Sequence, residues 1–139
     1  MSAPDIQISP IGRVESVLID PASAPKQGDE GAPEAFLVFE PAVVAALDGL
    51  EPGDEVIVIT WLDRARRDVL RVHPRDDASR AQVGVFNTRS QDRPNPIGLH
   101  RVQITSIEGA TVRVRSLEAV DGTPIVDVKP VLGTDISER

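Results

Sequence analysis

Glycine and proline punctuate this chain from end to end, ten of one and twelve of the other, and the apolar residues fall in short runs between them. Each proline removes a backbone donor and obstructs the preceding helical turn, so long helices are disfavoured. Short strands joined by turns suit the spacing better. "IGRVESVLI" (11–19) and "EAFLVFE" (34–40) read as strands, separated by a loop over 20–33 that is long for a connection without structure. "PAVVAALDGL" (41–50) reads as one short helix, with Pro41 at its first position and Gly49 as a left-handed cap. "EVIVITWL" (55–62) fits a buried central strand, and "DVLRV" (68–72) and "QVGVF" (82–86) are shorter strands.

The clearest hairpin joins 99–107 to 111–117 around Glu108, Gly109 and Ala110. Val102 and Ile104 alternate with Arg101, Gln103 and Thr105, and Val112 and Val114 alternate with Arg113 and Arg115. "PIVDVKPVL" (124–132) is the last strand. About seven strands and one short helix predict an all-β, mainly antiparallel sandwich or barrel. No Gly-x-Gly-x-x-Gly follows a strand, which argues against a doubly wound nucleotide fold.

At 139 residues the whole chain, 1–139, is expected to form one domain. Its aromatic residues are Trp61, Phe36, Phe39 and Phe86, so the core must come from Val, Ile, Leu and Ala. Without cysteine there is no disulfide, thiolate ligand or cysteine nucleophile. Two histidines, His73 and His100, are poor material for a zinc site, and no metal is expected. No apolar run reaches the roughly 18 residues of a membrane span. "MSAPDIQISP" lacks the basic and apolar regions of a signal peptide, so a cytoplasmic, membrane-free protein is expected.

A net charge of −7 argues against generic nucleic-acid binding, yet the charge is unevenly placed. Residues 1–59 carry eleven acids and two bases, whereas 60–101 carry nine arginines and five acids. The positive segment leads into "TRSQDRPNPIG" (88–98). There Arg93-Pro94 and Asn95-Pro96 bias their first residues to extended geometry, and Gly98 permits a close backbone approach or a positive φ. A stiff segment of this kind can hold Asn95 and nearby carbonyls against a ligand with little ordering cost. Arg89 and Arg93 could grip a carboxylate or phosphate in bidentate fashion. A rigid strand connection with incidental arginines is the competing reading. In "DGTPIVDVKP" (121–130), Asp127 and Lys129 share one face and Val126 and Val128 the other. Spacing alone fits a surface ion pair as well as a functional one. Pro25-Lys26-Gln27 and His73-Pro74-Arg75 are weaker signals.

These segments together resemble the TsaA-like, or TrmO-type, family of β-barrel methyltransferases. Gly84 to Gly98 matches its "G-V-F-x-T-R-S-x-x-R-P-N-P-I-G" block, and Asp121 to Pro130 matches "D-G-T-P-(I/V)-x-D-(I/V)-K-P". Ile11 to Ser16 and Pro25 to Gln27 match two earlier elements in the same order. The chain departs from the pattern at Gln91 and Asp92, at Val131, and at Asp63-Arg64, where members carry a histidine. The resemblance implies a small β-barrel, S-adenosylmethionine as methyl donor, a homodimer, and tRNA as partner, with N6 of a modified adenosine beside the anticodon as acceptor. It implies a donor pocket lined by Phe86, Thr88, Arg89, Ser90 and Leu117 and closed by Asp121, Gly122, Thr123 and Ile125. Lys26, Gln27, Arg93 and Lys129 are assigned to the substrate. Asn95, Arg93 and Asp127 are assigned to catalysis, Asn95 by analogy with unrelated adenine methyltransferases whose Asn/Asp-Pro-Pro element holds the amine. Two other functions fit the same residues: methyl transfer to a small molecule or another non-tRNA acceptor, and a non-enzymatic module that binds the cofactor and regulates a partner.

Overall fold

The computed structural model describes residues 3–17 and 34–133. Among the described residues eight strands follow one another: β1 (Gly12–Glu15), β2 (Ala35–Phe39), β3 (Glu55–Trp61), β4 (Arg71–Val72), β5 (Val83–Gly84), β6 (Ile97–Glu108), β7 (Thr111–Arg115) and β8 (Pro124–Pro130). Six of them close into an antiparallel barrel in the order β1-β2-β7-β6-β3-β8, with β8 returning to β1. The remaining pair, β4 and β5, forms a separate two-stranded ribbon between β3 and β6. The all-β expectation holds, and the barrel rather than the sandwich is realised.

Alternation fills the barrel. Val14, Leu37, Val56, Val58, Val102, Ile104, Val112, Val114 and Ile125 point inward and are buried, so apart from Phe39 the core is aliphatic, as the scarcity of aromatics requires. Fully burying such a side chain stabilises by roughly 1.5–3 kcal/mol. Two register shifts, between Ile59 and Thr60 opposite β8 and between Ile104 and Ser106 on β6, bend the sheet toward closure. Gly12 sits at the seam, paired with both Phe39 and Ile125. A Cβ on Gly12 would lie 2.4 Å from the Val38 carbonyl oxygen, so the seam closes only around glycine.

Pro41–Leu47 is helical as its sequence suggests, but in the tighter 3-10 form, with two further 3-10 turns at Pro74–Asp76 and Val85–Asn87. Gly49 takes a φ of +96°, the left-handed stop expected of it. Val43, Leu47 and Leu50 pack on the core at the end of the barrel where β3 begins. β4 and β5 are shorter than the runs 68–72 and 82–86 that suggested them. "QVGVF" gives a two-residue strand and then turns, because Val85 to Asn87 coil back so that the Thr88 amide reaches the Val85 carbonyl. The run 55–62 is not buried on both faces: Val56, Val58 and Thr60 face inward, while Ile57, Ile59 and Trp61 are half-buried outside. Gly109 starts the β6–β7 turn with a φ of +59°, where glycine is favoured.

Candidate functional site

The site lies where β3 leaves the barrel and β6 enters it, and it is built by two connecting segments that bond to each other. The Leu62 amide donates to the Pro96 carbonyl, the Arg93 amide donates to the Arg66 carbonyl, and the Arg66 amide donates to Asp92 Oδ1 at 2.8 Å. Arg67 completes the contact. Its Nε donates to the Pro94 carbonyl at 2.7 Å and its Nη2 to Asn95 Oδ1 at 2.8 Å, while its guanidinium lies 5.2 Å from the centroid of the Trp61 ring. Proline has no amide hydrogen, so the stiff 91–97 segment is held by these outside donors rather than by its own ladder.

Between these segments and the barrel end is a cavity of about 320 Å³. Leu62, Ile97, Leu99 and Phe86 give it apolar walls, and Phe86 is 88% exposed at its side. Arg64, Arg89, Ser90 and Gln91 line it from the loops, and Asp63, His100 and Glu118 supply acidic and basic groups. A second cavity of about 750 Å³ adjoins it, and Arg89, Leu99, His100 and Glu118 line both. Arg101 and Arg115 also line the second.

A polar chain is buried behind the shared wall. Thr60 Oγ1 lies 2.7 Å from His100 Nε2, and His100 Nδ1 lies 2.5 Å from Glu118 Oε1. Thr60 is fully buried, His100 is 5% exposed and the Glu118 side chain 13%. The two ring nitrogens thus each have one oxygen partner, a hydroxyl at Nε2 and a carboxyl at Nδ1, and with an ionised carboxylate, which only accepts, the geometry fits the tautomer that donates from Nδ1. Gly98 makes room for the pair: a Cβ there would fall 2.5 Å from Thr60 Oγ1 and 2.7 Å from His100 Nε2. Close approach, rather than a positive φ, is what this glycine permits.

The residues singled out from sequence divide into groups. Phe86, Thr88, Arg89, Ser90, Arg93 and Thr123 line the first cavity together. Arg93 does not present a free fork: its Nη2 donates to the carbonyls of Val85 and Thr88, tying down the turn, while its Nε is buried without a partner. Asn95 lies outside that cavity, and the two acceptors expected to face a substrate, its Oδ1 and the Pro94 carbonyl, are bonded to Arg67. Leu117 and Ile125 are fully buried core residues. Asp121 and Gly122 form a turn against β1, where Asp121 Oδ1 accepts from the Ser16 amide at 3.0 Å, and they line a separate cavity with Arg13, Ser16 and Phe36. Asp127 and Lys129 face outward on β8 as a loose ion pair at 3.7 Å, opposite Ile59 and Ile57. Lys26 and Gln27 lie outside the described residues. His73 Nδ1 is 2.7 Å from the Arg80 carbonyl, a structural contact.

Sequence reading passed over Thr60, Arg67, His100 and Glu118. His100 carried a signal, since it shares strand parity with Val102 and Ile104 and therefore points into the barrel. Around the site, Arg101 holds the Glu55 carboxyl below the usual carboxylate range by hydrogen bond and charge, and Arg66 does the same to Asp68.

Comparisons with known proteins identify the family of this chain. The family model for the N-terminal domain of tRNA-methyltransferase O matches residues 13–135. A probable S-adenosyl-L-methionine-binding protein of Methanothermobacter thermautotrophicus is 42% identical over 130 residues, covering 94% of this chain and 93% of the relative. An S-adenosyl-L-methionine-binding protein of Archaeoglobus fulgidus is 38% identical over 122 residues, covering 88% of this chain and 86% of the relative. The crystal structure of TrmO from Pseudomonas aeruginosa matches with a TM-score of 0.74 at 28% identity, over 93% of this chain but 57% of that one. On a family match across most of its length, and on relatives that align with nearly all of it, this chain belongs to the family of the tRNA-methyltransferase O N-terminal domain.

Proposed function

We propose that this protein is an S-adenosylmethionine-dependent methyltransferase whose acceptor is N6 of a modified adenosine beside a tRNA anticodon. The observation that carries the reading is the cavity at the barrel end, assembled from the family's two motif regions and lined by groups of complementary chemistry. A sulfonium donor carries two cationic centres, a carboxylate and a flat base. Asp63 suits the cations, Arg64 and Arg89 suit the carboxylate, and Phe86, Leu62 and Leu99 suit the base. The cavity volume falls in the usual range for small-molecule sites.

When bound, the donor supplies an electrophilic methyl group for an in-line displacement, and positioning provides most of the acceleration. The chain's own residues do that positioning. Arg93 fixes the 85–88 turn that carries Phe86 and Thr88. Arg67 fixes Asn95, which we assign a positioning role in the 91–97 wall. Arg89, Arg101 and Arg115 along the second cavity support a path for phosphates. The exposed Ile97 and Leu99, beside half-buried Ile57 and Ile59 on the same outer face, support the homodimer.

The test is incubation of the purified protein with methyl-labelled S-adenosylmethionine and bulk tRNA, followed by digestion to nucleosides. Label on an N6-methylated adenosine derivative is the expected outcome. Label only on small molecules from an extract moves the acceptor. Donor binding by calorimetry without any transfer reduces the protein to a binding module.

A further inference from the structure

Methylation of an amine leaves a proton to be removed, and the barrel contains a group placed to take it. We propose that Glu118 is the proton acceptor of the reaction, with His100 and Thr60 as the residues that position it. This rests on the methyltransferase reading. Asp127, the carboxylate suggested by the sequence motif, lies on the outer face of β8 against Lys129 and lines neither cavity. Glu118 and His100 line both.

The chemistry balances simply. The acceptor nitrogen's lone pair forms the new N–C bond, and the electron pair of the broken C–S bond stays on sulfur, which becomes a neutral thioether. The nitrogen then carries one proton too many, and it passes to Glu118 Oε2. Oε1 is already occupied by the His100 ring at 2.5 Å, and the other ring nitrogen is fixed by the Thr60 hydroxyl at 2.7 Å, so the carboxylate cannot rotate freely away. Such bracing is costly: a carboxylate and an imidazole are kept out of water beside an otherwise apolar core, and Gly98 must lack a side chain for His100 and Thr60 to fit. The charged groups that share the two cavities with the pair are Asp63, Arg64, Arg89, Arg93, Arg115 and the Glu55–Arg101 ion pair.

Glu118→Gln preserves shape and still accepts from His100 Nδ1, but it cannot take a proton. Turnover of labelled donor with tRNA should fall a hundredfold or more, the usual scale of a lost general base. Calorimetry should show affinity for the donor's demethylated product essentially unchanged, so that the loss falls on the chemical step rather than on donor binding. Native kcat should fall in acid with a one-proton slope that the variant has lost. A separate readout needs no turnover: 15N NMR of the ligand-free protein should find His100 protonated at Nδ1 and bare at Nε2 near neutral pH. A bare Nδ1 would mean that the proton already sits on Glu118, and the assignment would be overturned. Native-like turnover of Glu118→Gln overturns it too, leaving the methyltransferase reading intact. A native protein that transfers no methyl to any acceptor takes both down together.

Discussion

Two glycines show how a missing side chain sets the chemistry of this barrel. At Gly98 a methyl group would collide with Thr60 Oγ1 and His100 Nε2, so Gly98→Ala should cost about 1–3 kcal/mol by overpacking. Gly84, in the same motif, has open space around it and an ordinary φ, and its alanine variant should fall within about 1 kcal/mol of the native protein. Urea unfolding of both variants checks the contrast, and equal stabilities would contradict the packing described. The polar chain behind Gly98 is also the part of the site least visible in the sequence. Thr60, His100 and Glu118 come from three separated segments, and only the barrel's closure brings them together. Strand parity could have placed His100 inside, but nothing local to Glu118 announces its partner.

At the scale of elements, the 62–68 and 91–97 segments depend on a fork that the sequence did not reveal. Motif composition marked 88–98 as a stiff polar segment offering Asn95 and nearby carbonyls to a ligand. It could not show that the prolines' free acceptors are taken by an arginine from an upstream loop, because that contact spans |i−j| of 27 and 28. Arg67→Ala should therefore speed amide exchange at Leu62 and Arg93 and destabilise by about 1–2 kcal/mol, the scale of charged hydrogen bonds partly open to water. Arg67→Lys should fail to restore protection, since a single ammonium cannot reproduce donation from both Nε and Nη2. Unaltered exchange in the alanine variant would show that the wall stands without the fork. The barrel strands were easier to read than this wall, because alternation of Val102, Ile104, Val112 and Val114 is a local signal of which face is buried.

For the whole molecule, charge rather than packing sets the response to conditions. Glu55, Asp68 and Asp77 have carboxyls held below their ordinary range by Arg101, by Arg66 and by the Ser79 hydrogen bonds respectively. A carboxyl lowered in the folded state stabilises above its unfolded value and loses that contribution as pH falls through the folded one. Stability should thus decline modestly on the acid side of the ordinary carboxylate range. The three groups are at the surface, so added salt should shrink the Glu55 and Asp68 share of the decline. Denaturant midpoints between neutral and acid pH, at low and high salt, measure it. An acid decline that does not respond to salt would point instead to buried groups.

The closing strand has a consequence for how the chain is made. β8 pairs with both β1 and β3, so the first and last strands of the barrel complete one another. During synthesis, the ribosome releases β1 and β3 long before Pro130 emerges, and each waits with one edge unpaired. Open edges of this kind invite pairing with neighbouring nascent chains. The last strand of the barrel to leave the exit tunnel is therefore also the one that covers the barrel's open edges.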